Sequence, residues 1–391
     1  MATARTIGVV TVARSDYGHL LPLLEEIRAR PDLGLQLFVA GGHLAKRLGE
    51  TVGAIEADGW TVTDRVETLG ESDAPEELAA GAGAGLAGFA RAFARRRPDL
   101  VVVLGDRLEM LSAAVAALPL TIPVAHVHGG EVTEGAIDEQ IRHAMTKLSH
   151  LHFPAAEVFA GRILQMGEEP WRVHCCGAPG LDRLARLAVV PRAELAARVG
   201  LPLRKPTLLV TLHPVSLEAE DTAAHVEELA DALMDTEGDV IVTAPGADTA
   251  HQTIVRRLEA LAAARPGTRM IASLGEDTYC SLLREVDVMV GNSSSGLIEA
   301  PTFGLPVVNL GSRQHGRLRA ANVIDVGHGR EEIRAGLRRA LDPAFRGGLA
   351  GLRNPYGDGR AAPRIVRVLA EVELGRRLIR KRFVDRSASG R

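Results

Sequence analysis

One pattern constrains this chain more than any other: short, continuously apolar runs that end in small or polar residues, separated by longer stretches of helical period. In the first half the runs are "IGVVTVA" (7–13), "LQLFVAGG" (35–42), "LVVVLGD" (100–106), "PVAHVHGG" (123–130) and "VHCCGAPG" (173–180). The second half has "TLLVTLHP" (207–214), "DVIVTAPG" (239–246), "RMIASLG" (269–275), "DVMVGNSSS" (287–295) and "PVVNLGS" (306–312). Apolarity that is continuous rather than alternating predicts strands buried on both faces, and the helical stretches between them predict parallel sheets. Two successive blocks of this kind predict an α/β protein of two doubly wound domains.

Size agrees, because 391 residues exceed what one hydrophobic core usually serves. Aromatics are only 3% of the chain, so aliphatic residues must fill the interior, as short buried strands and Ala-rich helices allow. A formal net charge of −3 gives no reason to expect a nucleic-acid partner. Three cysteines, two of them adjacent at 175 and 176, form neither a disulfide framework nor a CxxC pair. The N-terminus enters "RTIGVVTVARSD" without the pattern of a secretory signal, and no stretch approaches the ~18 apolar residues of a membrane span. These features predict a cytoplasmic protein with no membrane partner.

Proline and charge interrupt the pattern at "VVPRAELAARVGLPLRKP" (189–206), which places the domain hinge there and ends the first domain at 188. Ligands of open parallel sheets bind beyond the carboxyl ends of the strands. The polar residues after each run are therefore the candidates, and a cleft between the two domains is the expected site.

Two tempting signals point elsewhere. "GAGLAG" (83–88) spells a dinucleotide fingerprint, but it follows "ESDAPEELAA", which is no strand. It reads as a helix with small packing residues, and no nicotinamide cofactor is expected. The basic tail "ELGRRLIRKRFVDR" (373–386) reads as a terminal helix with a solvated face rather than a membrane-binding segment.

Five strand-end constellations remain. In "ARSDYGHL" (13–20), Arg14 sits where a strand hands over to a helix, a place suited to phosphate; an N-cap with an incidental arginine explains it equally well. In "GDRLEM" (105–110), Asp106 either caps the next helix or serves as an acid or base. In "HVHGGEVTEGAIDEQIRH" (126–143), the histidine spacing is not that of a zinc helix and no cysteine joins them, so no metal is expected. There Asp138 and Arg142 share a helix face at i, i+4, either as a structural ion pair or as site residues. A Gly-Gly turn flanked by His128 and Glu131 favours a ligand approaching backbone.

In "TLHPVS" (211–216), His213 closes the first strand of the second domain. "GNSSSGLIEAPTFGLPVVNLG" (291–311) is the most specific feature. Ser293, Ser294, Ser295 and the N–H groups of a helix beginning near Gly296 can bind a pyrophosphate, and Glu299 can accept both ribose hydroxyls. A Ser-rich N-cap accounts for one serine rather than three.

Together these residues resemble the UDP-N-acetylglucosamine 2-epimerase family, in the hydrolysing branch that supplies sialic- and legionaminic-acid pathways. The resemblance runs from "RSDYG" through "GDRLE", "HVHGGEVTEGAIDEQIRHAMTKLSHLHF", "LHPV" and "GNSSSGLIEAP" to "RQHGRLRAANVIDV" (313–326). It implies the GT-B architecture: two Rossmann-like domains, 1–188 and 189–362, and a helix in 363–391 that returns to the first domain. It also implies a homodimer, a UDP-sugar substrate and no cofactor. By resemblance Arg14 contacts the diphosphate, Ser293, Ser294 and Glu299 hold phosphate and ribose, and His213 lies near the leaving group. Asp106, Asp138 and Arg142 match the polar cluster around the sugar.

The implied reaction eliminates UDP to a 2-acetamidoglucal and adds water, giving UDP and a free manno-configured sugar. That product is N-acetylmannosamine or its 2,4-diacetamido-2,4,6-trideoxy analogue. Two proton transfers on opposite faces call for at least two acid/base groups, and Asp106, Asp138 and Glu131 are the candidates. Non-hydrolysing relatives carry "HRREN" where this chain has "HPVSLE", "TGQH" where it has "AGGH" (40–43), and Glu where it has His128. The first two departures favour hydrolysis. Alternatives are a non-hydrolysing epimerase, a glycosyltransferase of the same architecture, and a non-catalytic UDP-sugar-binding protein.

Overall fold

All but one of the apolar runs become strands, and the strands sort into two sheets in which every pairing is parallel. The computed structural model describes residues 4–46, 49–70, 74–133, 137–187, 189–215, 220–244, 251–271 and 274–385. The first sheet contains β1 (Arg5–Thr11), β2 (Leu33–Ala40), β3 (Val62–Val66), β4 (Leu100–Leu104), β5 (Val124–Val127) and β6 (Leu151–Phe153), in the order β3-β2-β1-β4-β5-β6. The second contains β7 (Thr207–Thr211), β8 (Asp239–Thr243), β9 (Thr268–Ile271), β10 (Val288–Gly291), β11 (Val307–Leu310) and β12 (Val323–Val326), in the order β12-β11-β10-β7-β8-β9.

Counted from its own first strand, each sheet follows the same dinucleotide-fold order, so the two units are topological repeats of the Rossmann type. This is the GT-B class of architecture. The central strands β4 and β7 are buried at every residue, so β4 is unbroken hydrocarbon and β7 is hydrocarbon between its terminal Thr207 and Thr211. In each sheet the chain reverses direction of travel once, between β1 and β4 and between β7 and β10. The loops leaving those four strands form the two switch points.

Three strands had no apolar run to announce them. β3, β6 and β12 are all edge strands; β3 is largely half-exposed and β6 has three residues, so neither needs a long hydrocarbon stretch. Conversely, "VHCCGAPG" is not a strand. Only Val173 bridges to His152, after which Gly177 turns with φ +92° and the Ala178 N–H pairs with the Tyr356 carbonyl at 2.7 Å. Pro179, with no N–H to offer, follows at once.

The "GAGLAG" segment lies inside the helix Pro75–Arg96. Its close packing requires small residues: a Cβ on Gly85 would lie 2.8 Å from the Thr68 methyl, and one on Gly88 would lie 2.6 Å from a Val66 methyl.

Contacts divide the chain into one unit of Met1–Ala185 with Tyr356–Arg391 and another of Arg186–Pro355. The chain therefore rejoins the first unit at 356, earlier than the 362/363 boundary read from sequence. Tyr356 is the reason: it is 1% exposed, with its ring 6.0 Å from that of Phe159. The buried Asp182 carboxylate then accepts the N–H groups of Ala361 (2.8 Å) and Ala362 (2.7 Å), capping the helix Ala361–Glu371. That helix packs on the helix Arg14–Arg28, and Ile365, Val366 and Leu369 complete the first unit's core. Among the described residues, no helix is long and apolar enough to cross a membrane.

Candidate active site

At the first switch point β1 ends at Thr11, and Ala13, in extended conformation, precedes the helix Arg14–Arg28. Arg14 is exposed on the first turn and makes no hydrogen bond or ion pair among the described residues. Asp16 behaves differently. It is 5% exposed and accepts from Arg107 Nε at 3.3 Å and from Ser15 Oγ at 3.2 Å. Its second carboxylate oxygen is buried without a partner, and burial raises its pKa against the lowering effect of Arg107 and His19. Since Arg107 follows β4, this ion pair ties the two switch-point loops together.

Asp106 stands beside Arg107, after Gly105 (φ +71°). Its carboxylate accepts from Nη2 of Arg142, a nearly buried guanidinium on the helix Ile137–Leu148. Arg142 Nη2 also donates to Thr133 Oγ1 at 2.9 Å, and Nη1 faces Glu139 Oε2 at 3.7 Å. The partner of Arg142 on its own helix is thus Glu139 at i, i+3, not Asp138 at i, i+4. Glu139 is drawn to that side because it also accepts the Thr133 N–H at 2.6 Å and faces His143 Nε2 at 3.0 Å. Asp138, about 100° round the helix axis, is half-buried and makes no hydrogen bond or ion pair among the described residues.

The two histidines of the β5 end have separate functions. His126 is fully buried; its Nε2 donates to the Gly105 carbonyl at 2.7 Å, and burial lowers its pKa to about 3. It is a neutral brace for the Asp106 loop. His128 takes φ +64°, a left-handed conformation that a residue with a side chain adopts at a cost and that recurs at functional sites. Its Nδ1 lies 2.5 Å from Glu131 Oε1, and its Nε2 is buried with no partner. A carboxylate that fixes the proton on Nδ1 leaves Nε2 as a base. The Gly-Gly turn beside it is pinned by Arg162, which donates to the Gly130 carbonyl at 3.0 Å. A Cβ on Gly130 (φ +77°) would lie 2.4 Å from the Phe159 carbonyl oxygen, so glycine is required.

The second switch point is built on hydrogen bonds rather than charge. Asn292, fully buried, accepts the His213 N–H at 2.7 Å and donates to the His213 carbonyl at 2.8 Å. Its own carbonyl accepts from Gln314 Nε2 at 2.8 Å and from Arg313 Nη1 at 3.1 Å. Gly291 before it takes φ +130°, where a Cβ would lie 1.9 Å from the Thr211 carbonyl oxygen. Ser293 and Ser294 are half-buried, and the Ser293 hydroxyl accepts the Ser295 N–H at 3.4 Å. The helix expected near Gly296 is a single turn, Ser295–Ile298, so hydroxyls and individual N–H groups rather than a macrodipole are what this turn offers an anion.

Gly296 serves packing: a Cβ there would lie 2.8 Å from a Val307 methyl. Glu299 keeps one buried oxygen without a partner, and burial followed by the Glu299 charge pushes up the pKa of the buried Tyr279 hydroxyl.

The first unit thus joins Asp106 to Arg142 and His128 to Glu131, leaving Arg14 and Asp138 unengaged among the described residues. The second gathers His213, Ser293, Ser294, Ser295, Gly296 and Glu299 beyond β7 and β10. Sequence reasoning passed over Asp16, Arg107, Glu139, Asn292, Arg313 and Gln314. Arg107 and Asn292 each adjoin a residue that was singled out, and that adjacency was their only signal. Among the described residues, no three His, Cys, Asp or Glu side chains are grouped to hold a metal ion.

Comparison with known proteins gives one answer. The family model for UDP-N-acetylglucosamine 2-epimerase matches residues 25–370. A Legionella pneumophila protein named UDP-N,N'-diacetylbacillosamine 2-epimerase (hydrolyzing) is 37% identical over 378 residues, covering 96% of this chain and 98% of the relative. A Campylobacter jejuni protein named GDP/UDP-N,N'-diacetylbacillosamine 2-epimerase (hydrolyzing) is 36% identical, covering 82% of this chain and 84% of that one. The crystal structure of UDP-GlcNAc 2-epimerase from Neisseria meningitidis bound to UDP-GlcNAc shares the fold with a TM-score of 0.78, at 18% identity, covering 94% of this chain and 100% of the other. Matched over most of its length by the family model, and above 30% identity with two relatives named as hydrolysing, this chain belongs to the UDP-N-acetylglucosamine 2-epimerase family, in its hydrolysing branch.

Proposed function

We propose that this protein hydrolyses a UDP-2-acetamido sugar with inversion at C2, releasing UDP and a free manno-configured sugar. The observation that carries the reading is the 37% identity, over nearly the whole of both chains, with a relative named as a hydrolysing 2-epimerase. Both hydrolysing relatives are named for the diacetylbacillosamine substrate, which favours the 2,4-diacetamido-2,4,6-trideoxy sugar over N-acetylglucosamine here.

The reaction needs a base at C2, stabilisation of the departing diphosphate, and an acid for the opposite face. His128, oriented by Glu131, supplies one proton-transfer group through its free Nε2. Asp138, with no ion-pair partner among the described residues, supplies a carboxylate. Asp106 is paired with Arg142, which holds and aligns its carboxylate. The departing UDP is received by Arg14 and His213, by Ser293, Ser294, Ser295 and Gly296 on the turn after β10, and by Glu299 at the ribose. Elimination leaves a glycal; water then adds at C1 and a proton returns to C2 from the other face. The protein's own groups provide this chemistry without a cofactor.

We further infer a cytoplasmic homodimer. Three free cysteines fit a reducing compartment, and dimerisation follows from the family resemblance.

The decisive experiment incubates the protein with UDP-N,N'-diacetylbacillosamine and with UDP-N-acetylglucosamine in heavy-oxygen water and in D2O. Released UDP, solvent oxygen at C1 and deuterium at C2 are expected, with faster turnover of the diacetamido substrate. Turnover that leaves all UDP esterified refutes hydrolysis, and preference for UDP-N-acetylglucosamine refutes the substrate assignment. Light scattering in solution tests the dimer.

A further inference from the structure

The helix Ile137–Leu148 presents Asp138, Glu139 and Arg142 from its first two turns, and its far end is held by a segment remote in sequence. The last carbonyls of an α-helix lack intrahelical donors. Here the Lys381 ammonium supplies them, donating to Lys147 O at 2.7 Å and to Thr146 O at 3.4 Å. A cation in that place also opposes the negative pole of the helix. The same ammonium pairs with Glu168 Oε2 at 2.8 Å, while Lys147, on the helix, reaches Oε1 at 2.6 Å. One carboxylate therefore ties the helix to the tail. Burial alone would raise the Glu168 pKa, yet hydrogen bonds from His152, Lys147 and Lys381 hold it down to about 2.

Lys381 is itself pinned on both sides. Upstream, the fully buried Arg172 guanidinium donates to the carbonyls of Leu378 (2.8 Å), Arg377 (3.0 Å) and Arg380 (3.0 Å), and Leu378 is wholly buried in the core. Downstream, the Val384 N–H donates to Gly167 O at 2.9 Å, and the Phe383 ring lies over Lys147 Nζ at 5.0 Å.

We propose that residues 377–384 form a clasp that sets the axial position of the Ile137–Leu148 helix, and that Lys381 is a positioning residue acting through that helix on Arg142 and Asp138. A helix is stiff along its axis, so a shift at Lys147 is carried to the turns that face Asp106. Misplacement by ~1 Å can cost about 100-fold in rate. The inference rests on the proposed reaction for its kinetic test but not for its structural one.

The test compares the full-length wild type with Lys381→Met, which keeps the aliphatic stem, and Lys381→Arg, which keeps the charge and donors. In Lys381→Met, kcat is expected to fall roughly 10- to 100-fold while KM and UDP affinity stay within about twofold. Lys381→Arg restores most of the rate, and amide hydrogen exchange of residues 137–148 accelerates only in the methionine variant. Wild-type kcat per UDP-binding site in Lys381→Met overturns the clasp, as does a loss of kcat that the arginine variant does not relieve.

If Lys381→Met fails to fold, Glu168→Gln is read in the same assays, and unchanged kcat with unchanged exchange of the helix overturns it. A wild type that turns over no UDP-sugar refutes the proposed reaction instead, and the exchange measurement still decides the clasp.

Discussion

Asn292 and His213 hold each other across the second switch point, with the Asn292 amide accepting the His213 N–H at 2.7 Å and donating to the His213 carbonyl at 2.8 Å. The last backbone pairing of β7 with β10 is Thr211 with Gly291. A side-chain amide offers the same donor and acceptor as a peptide group, so Asn292 extends the ladder beyond the place where the strands part. In the first unit the equivalent loops are joined by charge, Arg107 to Asp16. The two repeats share a topology and differ in how their switch points are fastened.

Asn292→Ala removes both bonds to the His213 backbone. Loss of roughly 2–6 kcal/mol of stability is expected, since each of the two hydrogen bonds costs about 1–3 kcal/mol when unmade. UDP affinity is expected to weaken about tenfold, which is ~1.4 kcal/mol, because His213 and the serine turn lose their common anchor. Denaturant melts and titration calorimetry with UDP measure both. A variant that binds UDP like the wild type removes the proposed link between this clasp and the nucleotide.

His128→Ala tests the unpartnered imidazole nitrogen. A general acid/base contributes typically 10²- to 10⁴-fold, so kcat is expected to fall by about that range with UDP affinity nearly unchanged. Glu131→Gln keeps an acceptor for the Nδ1 proton but removes its charge, and a smaller loss of roughly tenfold is expected. Rapid-quench assays following UDP release give the rates. If His128→Ala turns over normally, the strained backbone at this residue has another purpose.

How much of this was readable beforehand follows from which physical signal each residue leaves. Buried central strands such as β4 and β7 carry a continuous hydrocarbon run, broken in β7 only by its terminal threonines, so they stand out; the edge strands β3, β6 and β12 carry no such requirement and were silent. Asp106 and His213 announced themselves by closing apolar runs. The partner of Arg142 did not, because i+3 and i+4 neighbours on a helix are equally near, and the choice of Glu139 depends on Thr133 in the preceding loop. Asp16 was passed over for a similar reason. An acid in a helix's first turn is ordinary, and only the tertiary contact with Arg107, far along the chain, buries it.

Asp138 and Asp106 are both expected to be essential, yet their variants should differ in stability. Asp138→Asn touches no ion pair among the described residues, so turnover is expected to vanish while the melting temperature stays within about 1 °C of wild type. Asp106→Asn leaves the nearly buried Arg142 guanidinium without its closest counter-charge. A cost of roughly 1–3 kcal/mol accompanies the lost activity, since removing one member of a part-buried pair strands the other. Calorimetric melts alongside activity separate the two. Equal destabilisation by both would show that Asp138 is engaged in the folded protein after all.

Acid should destabilise the fold through its buried histidines. Burial lowers the pKa of His126 to about 3 and those of His43 and His150 to about 4, from an ordinary 6.5. Below pH 6.5 the unfolded chain takes up protons at these sites that the folded chain refuses, so stability falls as pH drops from 6.5 towards those values. For the fully buried His126 the slope approaches about 1.4 kcal/mol per pH unit. The Glu168 carboxylate, held down to about 2, adds its own loss only below its unfolded value of 4.5. Urea melts at pH 7.5, 6.5, 5.5 and 5.0 are therefore expected to show a plateau above the histidine range and a decline beneath it. His126→Asn, even if less stable overall, should decline less steeply. A profile flat down to pH 5 would mean that these imidazoles accept protons in the folded state, against the environment in which the sheet places them.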